Sequence, residues 1–282
     1  MILPKILILI PIWQRPEITE ICFSGLDRLR SHRSKVEVLG IISEESYIDR
    51  CIAHNVEHTF FENQPLGKKK NHGLKEALKR DWDYLIEINS DDVIKNELLD
   101  IYDTMTDDYL ALRNFCFMDS KTLELRQIET KTAYGIGRRY SRKAVEACKV
   151  SEVIVKKTCI SAGGALCEGF KKDLKPYIAK DLEKSGYVEI VGEGIKLWND
   201  EASAGMDNFS NLRLMENGFN CRQVFTDEPL AVDIKSDINI WAFNKEAGYQ
   251  YDLNEFKKGL PELNGIIKSH RHNIRTANIK AG

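Results

Sequence analysis

The sequence predicts an α/β fold, a mixed but mostly parallel central sheet flanked by helices, from three observations. The run KILILIPI (5–12) is continuously apolar, the mark of a strand covered on both faces. Strand and helix periods then alternate through roughly the first third of the chain, the pattern of a sheet whose crossovers are helices. Near residue 108 the alternation gives way to segments rich in strand formers.

The elements follow in order. Residues 17–30 carry Ile18, Ile21, Cys22, Leu26 and Leu29 at helical spacing, and VEVLGIIS (36–43) reads as a second strand. Gly73, Leu74, Ala77 and Leu78 place a helix at roughly 68–80, DYLIEIN (83–89) is a further strand, and Glu97–Met105 a helix. YLALRNFCFMD and LELRQIE read as neighbouring antiparallel strands, followed by a helix near 141–149. Lys171–Lys184 reads as an exposed helix, and Asn208–Asn217 as another, ended by Gly218. Residues 241–282 look irregular, rich first in aromatic and then in basic side chains; no repeat, low-complexity run or linker divides the chain.

Composition narrows the function classes. The chain is 43% hydrophobic and 30% charged, enough for a sizeable core, and its net charge of -2 means that a nucleic-acid or membrane partner needs a local patch. Two segments qualify: 121–157 holds ten Lys/Arg against four acids, and 256–282 six against one. The seven cysteines are scattered without a CxxC pair, which disfavours a disulfide framework or a zinc site and fits a reducing cytoplasm. The apolar N-terminus is too short to span a bilayer and lacks an A-x-A-like cleavage site, so it reads as a buried first strand.

Three stretches carry chemistry. The strand at 83–89 runs into Asn89-Ser90-Asp91-Asp92, and ligands of open parallel sheets bind at the carboxyl ends of strands. Two adjacent carboxylates repel each other, and a hard divalent cation (Mg2+ or Mn2+) with substrate phosphates in its shell would offset that. The structural alternative is a turn in which Asp91 or Asp92 caps a helix. In NQPLGKKKNHGLKEAL (63–78), Lys68, Lys69 and Lys70 open a helix against its macrodipole, a conflict that a bound diphosphate would remove. In ISEESYID (42–49), acidic and hydroxyl groups follow the second strand and can accept from a base or a ribose. Glu87, a lone acid inside DYLIEIN, has no account in the sequence.

These stretches, in this order, resemble the motifs of family-2-like glycosyltransferases of the GT-A fold. PIWQRPE (11–17) is similar to P-x-Y-N-R-x-E, ISEESYID to D-D-G-S-x-D, GKKKNHGLKEA to A-R-N-x-G-x-x-x-A, and INSDD to D-x-D-D. GMDNFSNLRLMENGF (205–219) resembles G-E-D-x-D-L-x-x-R-L-x-x-x-G-Y, with Asp207 on the catalytic aspartate and Arg213 on the later arginine. The resemblance implies a hexosyl- or pentosyltransferase that uses a nucleotide-sugar donor and Mn2+ or Mg2+, and usually inverts the anomeric carbon. It places Pro11, Trp13 and Glu44 around the nucleoside and Lys70 and Asn71 along the donor pocket, with Arg15 and Asn89 as further donor-binding residues. Metal ligation falls to Asp91 and Asp92, with Asp233 of PLAVDIKSD and His270 or His272 of SHRHN as candidates from the C-terminal half. Asp207, at the head of its helix, becomes the general base, a role that typically contributes ~10²–10⁴-fold. The aromatic segment 238–251 becomes a lid or wall that excludes water.

It further implies one catalytic domain over 1–240, with a donor half (1–118) and an acceptor half (119–240), and 241–282 as an extension packed on it. Two departures stand out: Asn89 replaces the first acid of the metal motif, and Met206 replaces the glutamate before the catalytic aspartate. Acceptors compatible with the sequence are a sugar, a lipid-linked glycan, a protein side chain or, through the basic segments, a hydroxylated nucleic-acid base. A non-catalytic nucleotide-sugar or glycan-binding module, or a nucleotidyltransferase, is the rival reading. The latter would carry a glycine-rich loop after the first strand, where this chain has PIWQRPE, and a dinucleotide dehydrogenase lacks its early G-x-G-x-x-G.

Overall fold

The first strand, β1 (Ile6–Ile12), is buried along its whole length and splits its side chains by the period of two. Ile6, Ile8, Ile10 and Ile12 enter one apolar layer with Cys22, Phe23, Leu26 and Leu29 of α1 (Pro16–His32), while Leu7 and Leu9 enter the other. The chain continues through β2 (Val36–Ile42), α2 (Ile48–Ala53), β3 (Glu57–Phe60) and α3 (Leu66–Ala77). Leu74 and Ala77 of α3 cover that second face. The helix lies so close that a Cβ on Gly73 would stand 2.2 Å from Ile41 Cδ1. Next come β4 (Tyr84–Glu87), β5 (Asp92–Ile94), α4 (Asn96–Asp103), β6 (Tyr109–Leu112), β7 (Asn114–Asp119), β8 (Leu125–Glu129), β9 (Arg138–Ser141) and α5 (Arg142–Glu146). After them run β10 (Lys149–Val155), β11 (Cys159–Ser161), β12 (Gly164–Leu166), β13 (Gly169–Leu174), α6 (Pro176–Lys184) and β14 (Val188–Ile195). The last elements are α7 (Asp207–Glu216), β15 (Cys221–Val224), β16 (Ala231–Lys235), β17 (Tyr249–Gln250) and α8 (Leu253–Phe256).

The computed structural model describes residues 3–33, 35–131, 134–156, 159–161, 164–166, 169–198, 200, 207–236, 243–265 and 267–268, and for 159–173 and 207–209 the backbone path alone. The large sheet has the order β15-β6-β9-β4-β1-β2-β3. Strands β1 to β4, β6 and β15 share one direction and β9 alone runs against them, so the fold is mixed α/β with a mostly parallel central sheet. The loops after β1, β2, β3 and β4 consequently gather at one edge.

A second sheet, β17-β8-β7-β16-β5, stands beside the first, and a three-stranded sheet, β13-β10-β14, carries α6 on one face. The expected neighbours 109–119 divide here: β6 joins the large sheet, and after Arg113 β7 leaves it to pair with β8 and β16. The expected helix 171–184 is also shorter. Residues up to Leu174 pair with β10, and the helix starts only at Pro176, whose fixed φ suits a first helical position. Beyond residue 240, Phe256, Leu260 and Leu263 are buried with Val93 and Val232. Tyr249 and Gln250 extend the second sheet beside β8 rather than forming a lid; 237–242 lie outside the described residues.

Candidate active site

The strand-end loops bring the acids together. Asp91 and Asp92 follow β4, and Asp233 of β16 stands directly opposite Asp92 in the antiparallel β5–β16 ladder. One ligand atom from each of the three carboxylates lies within 4.8 Å of the others, and all three residues are buried. At that separation two unit charges repel by about 3 kcal/mol at an effective dielectric near 20.

The neighbours offset this only in part. Arg15 donates to Asp91 Oδ2 at 2.5 Å and Lys235 to Asp233 Oδ2 at 2.5 Å, while Asn89 gives Asp92 Oδ2 its backbone N–H (2.6 Å) and its side-chain amide (3.0 Å). Asp92 Oδ1 and Asp233 Oδ1 remain buried with no partner among the described residues. Burial, then Asp233 and Asp91, pushes Asp92 well above the usual carboxylate range. Burial and Asp91, opposed by Lys235, push Asp233 up to about 7. Two orphaned carboxylate oxygens facing a third acid form a hard-oxygen donor set, which suits Mg2+ or Mn2+ better than a soft or redox metal.

The loop 13–15 over this cluster is strained. Gln14 and Arg15 are non-glycine residues at φ 53 and 58, in the left-handed region. Glu44 accepts from the Gln14 N–H at 3.1 Å, and the Tyr47 hydroxyl donates to the Gln14 carbonyl. Outliers held so tightly beside buried charge are typical of ligand sites. Pro11 is buried inside β1, opposite Ile41, and Trp13 is half-exposed at the rim.

The three lysines expected to converge on one anion diverge instead, because consecutive helical residues point about 100° apart. Lys68 lies on the outer face of α3. Lys69 is fully buried; its ammonium donates to the Ile12 carbonyl (2.7 Å), Ser43 Oγ (2.8 Å) and Asn63 Oδ1 (3.2 Å). It thereby stitches together the loops after β1, β2 and β3, and burial lowers it to about 7. No motif signals this role; only the KKK run places a lysine there.

Lys70 is not open to a donor phosphate. It is buried against Glu87 at 2.6 Å, and Arg138 NH2 reaches the same oxygen at 2.9 Å. The Tyr140 hydroxyl donates to the other Glu87 oxygen at 3.2 Å. Burial pushes Glu87 up, but Arg138 and Lys70 hold it below its ordinary value. The lone acid of the β4 run is thus the anchor of a buried ion cluster. Asn71 is occupied as well: it accepts from the Leu197 and Trp198 N–H groups and donates to Trp198 O and Asp200 Oδ1. Both residues therefore build the site's frame rather than its lining.

Asp207 opens α7, its side chain lying outside the described residues, as do Met206 and His270. Ser210, one turn later, is buried with Oγ 3.4 Å from the Tyr140 hydroxyl. The helix start therefore lies within two side chains of the end of β4. Several cations of the basic segment 121–157 are engaged by neighbours, while Lys121, Lys131 and Lys149 are exposed. Arg138 and Arg139 are buried on Glu87 and on backbone carbonyls, and Arg142, Lys143 and Lys156 pair with Glu146, Asp108 and Glu189. Among the described residues no helix is long and apolar enough to cross a membrane.

No family model and no curated protein matches the chain. Solved structures do. TarS residues 1–349 from S. aureus superpose with TM-score 0.45 at 12% identity, over 82% of this chain and 60% of that one. The mannosyltransferase PcManGT from Pyrobaculum calidifontis, in complex with GDP-Man and Mn2+, gives 0.46 at 13%, over 88% and 59%. A CMP:2-keto-3-deoxy-manno-octonic acid synthetase complexed with CTP gives 0.37 at 17%, over 79% and 90%. The chain spans about 60% of the length of the first two. The chain resembles GT-A glycosyltransferases, in the order of its motifs and in solved structures that it matches.

Proposed function

We propose that the protein is a metal-dependent glycosyltransferase that moves a sugar from a nucleotide-diphosphate donor to an acceptor hydroxyl. The observation that carries the reading is the buried triad Asp91, Asp92 and Asp233, with two orphaned oxygens, at the ligand edge of a mostly parallel sheet. These three residues would hold the ion; when bound, it neutralises charge on the departing diphosphate.

The chain's own groups do the rest. Arg15, on the strained loop, supplies a cation beside the triad that can meet a phosphate oxygen. Trp13 and Glu44 line the rim where a base and ribose would sit, with Pro11 beneath. Asp207 takes the proton from the attacking hydroxyl, and attack from the face opposite the leaving group inverts the anomeric carbon. The Glu87, Tyr140 and Ser210 contacts hold the head of α7 against the end of β4. Residues 1–240 form the catalytic unit in this reading.

The test is incubation with Mn2+ and a panel of nucleotide sugars, measuring released nucleotide. One donor should be hydrolysed slowly, and Asp91→Ala should abolish the release. Failure of every donor either to bind or to turn over would end the proposal.

A further inference from the structure

A second groove, of about 210 Å3, runs along the outer face of α3, away from the carboxylate triad. One wall is the helical stripe Lys68, His72 and Lys75, residues four and three apart. The facing wall is the β10–β14 sheet, with Glu152 and Glu193.

The strand β14 departs from good strand chemistry here. Its sequence VEIVGEGI places Gly192 and Gly194 on either side of Glu193. Glycine weakens a strand interior, and where no unusual backbone demands it, it often marks the close approach of a ligand. Neither glycine lies in the left-handed region, and only Gly192 sits at the ladder's irregularity beside Glu152. A Cβ on Gly192 would stand 3.1 Å from Glu152 Oε2, and one on Gly194 would stand 3.6 Å from Val150 Cγ2. The bare backbone gives Glu152 its place and keeps the wall low.

The carboxylates of Glu152 and Glu193 form no hydrogen bond or ion pair with any described residue, although lysines line the opposite wall. Among the described lining residues, Lys68, Lys75 and Lys196 stand against Glu152, Glu193 and Asp200, and burial pushes His72 below its ordinary value. A polyanion gains nothing from such a lining. Apolar surface comes from Val150, Ile195 and Phe61, the last stacked on His72 at 4.7 Å. Acceptors on one wall, donors on the other and apolar patches between them suit a ring whose hydroxyls both donate and accept and whose C–H face is apolar.

We infer that this groove is a saccharide-binding site, with Glu152 and Glu193 accepting from sugar hydroxyls. That the saccharide is the acceptor rests on the proposed function; the binding itself does not. The frame allows the link, since Asn71 holds Asp200 at the groove and is followed back along α3 by Lys70, which meets Glu87.

The test is saturation-transfer NMR and calorimetry on the full chain with a panel of neutral mono- to trisaccharides, with a sulfated trisaccharide as contrast. At least one neutral saccharide should bind and the sulfated one should not. Glu152→Gln with Glu193→Gln should weaken binding about tenfold or more, the loss expected when two charge-assisted hydrogen bonds become neutral ones. Gly194→Val should weaken it too, with the melting temperature and nucleoside-diphosphate binding retained in both variants. Binding of no neutral saccharide, preference for the sulfated one, or undiminished affinity in the double variant overturns the site. Saccharide binding that survives in a chain unable to bind any nucleotide sugar leaves the groove standing and removes the transferase reading.

Discussion

At Glu87 the buried end of β4 carries a carboxylate met by Lys70, Arg138 and Tyr140, all within 3.2 Å of its oxygens. Beyond it, Asp91 and Asp92 meet Asp233, and two of their oxygens have no described partner. Both clusters are buried and both are acidic at heart. One is saturated with donors and holds strands and helix in place. The other stores repulsion that a cation would relieve. A buried carboxylate whose two oxygens are both met by donors serves the frame, whereas one with an oxygen left unmet points to a ligand.

The contrast is broken or sharpened by mutation. The largest effect should be at the saturated cluster. Glu87→Ala leaves Lys70 and Arg138 in the core without the anion between them and should destabilise by about 3–5 kcal/mol in urea unfolding. A cost below about 1 kcal/mol would make the two clusters alike. Next, Asp91→Ala should lower Mn2+ affinity by at least about 100-fold, read by calorimetry, since even outer partners of a metal site cost that order. Asp92→Asn keeps an acceptor for Asn89 but removes the carboxyl whose ionisation burial, Asp233 and Asp91 oppose. In metal-free buffer it should raise stability by about 1 kcal/mol, the opposite sign from Glu87→Ala. Tyr140→Phe removes only the hydroxyl between Glu87 and Ser210 and should cost about 0.5–1.5 kcal/mol.

The smallest effect lies far from both clusters. His54 binds Asp27 through Nδ1 (2.6 Å) and Glu20 through Nε2 (2.7 Å), with Arg50 and Arg30 beside those acids. Burial pulls its pKa down, but the two carboxylates hold it above the ordinary 6.5. A raised folded value means stability present below the unfolded pKa and lost as pH rises through the folded one. His54→Gln should therefore melt below wild type around pH 6, and the gap should close toward pH 9. An unchanged gap would show that the imidazolium contributes nothing.

Much of the frame was legible in residues. KILILIPI and VEVLGIIS become β1 and β2, and the helical stripes at 17–30 and 68–80 become α1 and α3, because local period and burial agree there. The antiparallel insertion of β9 beside β4 and the passage of the chain between sheets at Arg113 were not legible; both depend on partners distant in sequence. At the site, the strand-end position of Asp91 and Asp92 was readable from INSDD. Asp233 is one of three C-terminal candidates in the sequence, and only the β5–β16 register sets it opposite Asp92. Lys70 misled because spacing alone does not say which way a lysine turns. Its partner Glu87 was visible as an anomaly in the strand, but only the fold pairs the two.

The central claim, that the triad is a cation site, is tested most directly by thermal melting with and without Mn2+ in wild type, Asp92→Asn and Asp233→Asn. Mn2+ should raise the melting temperature of wild type and leave both variants unmoved, while Asp92→Asn alone already melts above metal-free wild type. Wild type indifferent to Mn2+, or variants shifted as much as wild type, would contradict it.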